Sequence, residues 1–299
     1  MNILDAIKHA IDGNAVLFLG SGFSYGAKNL LNSSPKTGRE FASDLYKLAE
    51  VPSKDENLMI ASQIYYRKFG AAALSTLCRE TFTIKQAAPH HITIASLKWQ
   101  RIYTTNYDDL AERSSIENGK SLTPVTLEDS PERYLSSSKV CVHINGFINR
   151  LTTSDLTSHF KLTLASYFSD HFSGSLWRRI FDQDLSSARA VIFVGYSMYD
   201  LDIQRFVYAA DIKDKTVFIC SPTLQENDSD SFILPEFGTL FPIGVQKFAD
   251  EITEILGKYK PSPQPPLHQF RKSKLLHLSQ FQLMLTLKNY FCLGIYKQI

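Results

Sequence analysis

The sequence contains no C-x-x-C pair. Its four cysteines, Cys78, Cys141, Cys220 and Cys292, stand far apart. Spacing therefore proposes neither a zinc ribbon nor a redox dithiol, and the expectation is reduced thiols, no metal and a cytoplasmic setting. Long hydrophobic runs are missing too. No span reaches the ~18 apolar residues that a membrane helix needs, and even the oily stretch 275–299 is broken by His277, Gln280, Gln282 and Lys288. The opening MNILDAIKHAIDGN mixes Asp5, Lys8 and Asp12 with its apolar residues, an amphipathic-helix pattern and not an uninterrupted signal-peptide core. Excess charge of one sign is also lacking. The 32 Lys+Arg against 30 Asp+Glu leave a formal +2, so the field of the whole chain gives no reason to expect nucleic acid or a membrane as the main partner.

What the sequence does have is an alternation of short apolar runs with helical patterns. AVLFLG, RIYTTN, VCVHING, AVIFVG and TVFIC are unbroken apolar runs bounded by small or polar residues, as in strands buried on both faces of a parallel sheet. Leu4, Ile7 and Ile11 are spaced for a first helix, and Ile203, Phe206, Val207 and Ala210 and then Phe248, Ile252, Ile255 and Leu256 for later ones. This order predicts an α/β fold with a doubly wound, mostly parallel, Rossmann-like sheet. Between the first two runs, Phe41/Leu45/Leu48/Ala49 and Leu58/Ala61/Tyr65 are helix-spaced, so residues 36–96 are expected to form an inserted helical module. The main domain is placed at 1–259. The prolines of PSPQPP mark 260–267 as a stiff linker, and 268–299 would be an appendage or the start of a further domain.

Four of the apolar runs end in small and polar residues: Gly20-Ser21-Gly22-Phe23-Ser24, Thr104-Thr105-Asn106-Tyr107-Asp108, His143-Ile144-Asn145-Gly146, and Gly195-Tyr196-Ser197 with Asp200 and Asp202 beyond. Ligands of open parallel sheets bind outside the carboxyl ends of the strands, where these four clusters would converge. The glycine-serine turn suits a phosphate, although it lacks the P-loop lysine and the spacing of the dehydrogenase fingerprint. Asn106, Asp108 and Asp200 are equally placed to cap the helices that follow. In a strand, Cys141, His143 and Asn145 share one face, which makes His143 either a residue of an active-site lip or a hydrogen-bonded strand residue.

Taken together and in order, the four clusters resemble the sirtuin-like NAD-consuming domains, most closely those of bacterial antiviral-defence proteins. The resemblance spans roughly residues 14–256. It implies an NAD hydrolase that cleaves the nicotinamide–ribose bond to nicotinamide and ADP-ribose and depletes NAD in antiphage defence by abortive infection. Gly20, Ser21, Gly22 and Ser24 would embrace the dinucleotide, Gly195 and Ser197 its adenosine half, with Thr105, Asn145 and Asp200 completing the set. Asn106, Asp108 and His143 would be catalytic: Asn106 placing water, Asp108 stabilising positive charge or orienting the carboxamide, His143 accepting a proton. NAD is the substrate and no metal is required.

Two features depart from the family. The four-cysteine zinc module of sirtuin deacylases is absent, which favours water as the acceptor. Where many relatives carry a histidine immediately before the glycine, this chain has Asn145, with His143 about 6 to 7 Å upstream along the strand. The alternatives are an NAD-dependent deacylase or ADP-ribosyltransferase and a non-catalytic NAD or ADP-ribose sensor. The family also implies a homo-oligomer and a defence-system partner protein or fused sensor domain that keeps the activity silent until triggered.

Overall fold

The computed structural model describes residues 1–261, apart from 54, 136 and 169–171. All of the expected appendage 268–299, and all but the first two residues of the expected linker, lie outside the described residues. In chain order the elements are α1 (Ile3–Ile11), β1 (Ala15–Leu19), β2 (Lys28–Asn29), α2 (Gly38–Leu48), α3 (Leu58–Phe82), β3 (Ile84–Gln86), α4 (Pro89–Ala95), β4 (Arg101–Thr104), α5 (Leu110–Glu117) and β5 (Thr123–Thr126). They continue with β6 (Val140–His143), α6 (Leu164–Phe168), α7 (Leu176–Ser187), β7 (Ala190–Val194), α8 (Leu201–Ala209), β8 (Thr216–Ile219), α9 (Ser229–Ile233), β9 (Thr239–Phe241) and α10 (Gly244–Lys258).

Seven strands form one parallel sheet in the order β5-β6-β4-β1-β7-β8-β9. The five strand-like runs of the sequence are β1, β4, β6, β7 and β8, and every residue in them is buried. Their continuous apolarity follows from helices on both faces. Leu17, Ile102, Ile192 and Val217 share one core cluster with Ala6, Ile7, Ile94, Phe248 and Ile252, from α1, α4 and α10. Val16, Phe18, Tyr103 and Phe193 share another with Trp177, Phe181, Ile203 and Phe206, from α7 and α8. The sheet is Rossmann-like, with helices wound on both sides.

The stretch 36–96 holds α2 and α3, packed on each other through Phe41, Leu45, Ala61, Leu74 and Phe82. Thr37 and Glu40 close a capping box that starts α2. Gly70, at φ +85°, breaks α3 into two segments. The same stretch also holds β3, which pairs antiparallel with β2, a two-stranded ribbon too short to show as an apolar run.

Sheet order fixes where a ligand can sit. After β1 the chain places β4 beside it, takes β5 to the far edge and returns to set β6 between them, then crosses to the other side of β1 for β7, β8 and β9. This reversal at β1 is a switch point, and ligands of such sheets bind there, in the crevice at the carboxyl ends of the central strands.

Candidate functional site

All four polar clusters of the sequence lie at that carboxyl edge, on the loops after β1, β4, β6 and β7. The loops after β1 and β7 cross in backbone contact. Gly20 N–H donates to the Val194 carbonyl at 3.0 Å, Gly22 N–H to the Gly195 carbonyl at 2.9 Å, and Phe23 N–H back to Gly20 at 2.9 Å. A Cβ on Gly195, whose φ is +62°, would stand 2.2 Å from Phe23 N and 2.3 Å from Gly22 C. One on Gly20 would stand 2.4 Å from the Gly195 oxygen. These glycines are needed for the crossing itself, and the amides of Gly20 and Gly22 are engaged by protein carbonyls. Ser21 is exposed at the start of the turn and Ser197 half-buried in the opposite loop.

Two histidines of α4 hold the serine end of that turn. His91 Nε2 lies 2.8 Å from the Phe23 carbonyl and His90 Nε2 lies 3.1 Å from that of Tyr25. Ala88 N–H donates to His91 Nδ1 at 3.0 Å, so the neutral ring satisfies both contacts by donating from Nε2. Burial, and then the neighbouring His90, hold the His91 imidazole down at about 3, which keeps it in that neutral form.

Ser24, Asn106 and Asp108 meet in one cluster. Thr104 Oγ1 donates to the Leu19 carbonyl at 3.1 Å and accepts the Asn106 N–H at 2.9 Å, which turns the chain at the end of β4. Asn106 Nδ2 then donates to the Gly20 carbonyl at 2.9 Å and reaches Ser24 Oγ at 3.4 Å. Ser24 Oγ donates to Asp108 Oδ2 at 2.7 Å, while Asp108 Oδ1 accepts the Leu110 N–H at 3.2 Å at the start of α5. Asp108 is 7% exposed. Burial pushes its carboxyl up to about 6, against the lowering effect of the Ser24 and Leu110 hydrogen bonds, with Asp109 adding to the rise and His143 opposing it. Asp108 both caps a helix and belongs to the site.

Asn145 lies beside a second polar group. Its Nδ2 donates to the Thr105 carbonyl at 3.3 Å, and its Oδ1 is buried without a protein partner. A cavity of about 30 Å³ is lined by Asn145, Lys161, Tyr167 and Asp200, among others, room enough for water. Asp200 caps α8 through Oδ1, which accepts the Asp202 N–H at 3.0 Å, and pairs through Oδ2 with Lys161 Nζ at 3.0 Å. Lys161 had no signal in the sequence, since it comes from an irregular segment without periodicity.

His143 is placed differently from the expected lip residue. Its side chain is 0% exposed, Nε2 lies 3.0 Å from Glu112 Oε1, Nδ1 lies 3.3 Å from the Asn106 carbonyl, and the Phe147 ring centroid is 4.3 Å away. A side chain so enclosed does not touch a molecule in the crevice. Both ring nitrogens of His143 are thus engaged by the protein. Glu112 was not singled out in the sequence, although it follows Asp108 by four residues and so lies one turn further along the α5 segment. Glu112, Cys141 and His143 bring a carboxylate oxygen, a thiol and a ring nitrogen within 4.8 Å of one another, all buried. They are the residues able to offer ligands to a metal ion among the described residues.

The chain is 27% identical over 205 residues to the NAD(+) hydrolase ThsA of Cytobacillus dafuensis, covering 68% of this chain and 39% of that protein. It is 24% identical over 217 residues to defense-associated sirtuin 2 of Bacillus subtilis, covering 68% of this chain and 20% of that one. The chain thus spans well under half the length of either relative. A solved structure described as the structural basis for sirtuin substrate affinity aligns over 87% of this chain and 100% of its own at 15% identity, with a TM-score of 0.47. No helix among the described residues is long and apolar enough to cross a membrane. Residues 100–221, which carry the Asn106, His143, Asn145 and Gly195 clusters, match the family model described as SIR2-like domain.

Proposed function

We propose that this chain hydrolyses NAD to nicotinamide and ADP-ribose as part of antiphage defence. The observation that carries the reading is the Ser24–Asn106–Asp108 cluster, tied by hydrogen bonds across the crevice mouth between β1 and β4. The two named relatives, a hydrolase of NAD and a defence-associated sirtuin, support it.

The reaction breaks the bond between a ribose and a cationic pyridinium. Nicotinamide departs as a neutral molecule, so no acid is required, and positive charge develops on the sugar. The Asp108 carboxylate offsets that charge at close range in a water-poor site. Asn106, held from both sides by Thr104 and Gly20, positions the water that adds to the open face, and preorganised placement of this kind accounts for a large part of a rate. Thr105, Asn145, Ser197 and Asp200 line the mouth for the dinucleotide, with Ser21 and the Gly20, Gly22 and Gly195 backbone at its floor. No step is assigned to a metal. A homo-oligomer in the cytoplasm, controlled by a defence partner or a fused sensor domain, is part of the same proposal.

One observation favours a second reading, a sensor that binds NAD or ADP-ribose without cleaving it. Asn145 precedes Gly146, and the neighbouring histidine is buried. Incubation with NAD, with and without an acylated peptide, separates the readings. Hydrolysis releases nicotinamide and ADP-ribose whether or not peptide is present. A deacylase releases nicotinamide only with the peptide, and a sensor returns NAD intact.

The Asp108 carboxyl gives the hydrolase a pH signature. With its value held up at about 6, the charged form is present above that pH and is lost below it. The rate at saturating NAD is expected to fall about tenfold per pH unit below 6. Asp108→Asn should be slow at every pH and lack this limb. A limb of the same position in Asp108→Asn assigns it to another group.

A further inference from the structure

We propose that His143 and Glu112 form a positioning pair for Asn106, in which Glu112 holds the imidazole ring at the angle that lets Nδ1 donate to the Asn106 carbonyl. The consequence for rate rests on the hydrolase reading; the structural part does not.

Both ring nitrogens of His143 face acceptors, the Asn106 carbonyl at 3.3 Å and Glu112 Oε1 at 3.0 Å. A carbonyl oxygen only accepts, so the hydrogen bond from Nδ1 requires a hydrogen there. Nε2 faces Glu112 Oε1 at 3.0 Å. Burial, and then Glu112, push the Cys141 thiol well above its usual value, so the thiol keeps its hydrogen and interacts with Glu112 as well. Asp108 is the other charged group near the ring, and it is engaged by Ser24 and Leu110.

Without Glu112 the ring loses the partner at Nε2 that fixes its angle, and it is free to turn away from the Asn106 carbonyl. The Asn106 backbone carries the side chain that bridges to Gly20 and Ser24, and a displacement of 1 Å at a reacting centre costs about 10²-fold in rate.

Four variants separate positioning from proton transfer. Asparagine at 143 presents an N–H close to where Nδ1 sits and cannot act as a base; glutamine at 112 donates to Nε2 and so keeps the hydrogen on Nδ1. His143→Ala and Glu112→Leu should lower kcat about 10- to 100-fold with KM changed less than about threefold, and His143→Asn and Glu112→Gln should recover to within about fivefold of the parent chain. Hydrogen exchange of the Asn106 and Tyr107 amides should quicken at least about tenfold in the first two variants and not in the second two. His143→Asn as inert as His143→Ala would overturn the proposal in favour of a proton-accepting histidine. Unchanged exchange in all four variants would overturn it as well. So would a stoichiometric metal ion in the purified chain, which would make Glu112, Cys141 and His143 its ligands. A parent chain that releases no nicotinamide, while the exchange pattern holds, strikes the hydrolase reading and leaves the pair standing.

Discussion

Asn106→Ala is expected to release nicotinamide at least ~100-fold more slowly than the parent chain, to bind NAD as before, and to keep its fold. The substitution removes an amide that donates to the Gly20 carbonyl and reaches Ser24. Each hydrogen bond contributes about 1 kcal/mol net, and about 2–4 °C of melting temperature goes with each kcal/mol in a domain of this size. A loss of up to about 8 °C is therefore compatible with an intact site. The rate responds far more because water placement is needed in the transition state and hardly at all in the ground state. Nicotinamide release and melting temperature, measured on the same preparation, check the claim. An unchanged turnover would remove Asn106 from the reaction.

Gly195→Ala is expected to destabilise the chain by at least about 3 kcal/mol, the combined result of left-handed backbone and a collision that no rotamer relieves. The new Cβ would sit 2.2 Å from Phe23 N and 2.3 Å from Gly22 C, both backbone atoms of the loop that faces the crevice. Gly119→Ala is the comparison: its φ is +67° and nothing lies within 4 Å of its Cβ position, so only the strain remains, about 1 kcal/mol. Thermal melts of the two variants isolate the contact between the loops. Equal losses would mean that the crossing of the β1 and β7 loops is loose and that the glycine is required for its dihedral angle alone.

The central sheet was legible because five of its strands are buried on both faces and must be apolar throughout. The two edge strands were not. Thr123–Thr126 contains Pro124, which only an edge tolerates, and Thr239–Phe241 is three residues long. The site was legible where chemistry clusters along the chain, as in Gly20–Ser24 and Thr104–Asp108. It was illegible where partners come together only in space. Glu112 reads as one more charge on a polar helix, and its meeting with His143 depends on β4 and β6 being neighbours. Lys161 and His91 are of the same kind, each pairing with a residue far along the chain. For His143, the shared face with Asn145 suggested a common exposure, but the strand ends at His143, and the side chain is covered by Phe147 and α5.

The most direct test of the account is the stoichiometry of products when the full chain is incubated with NAD, beside Asn106→Ala under the same conditions. The account predicts nicotinamide and ADP-ribose in equal amounts from the parent chain, and NAD bound but uncleaved in the variant. NAD bound by the parent chain and returned intact would contradict it.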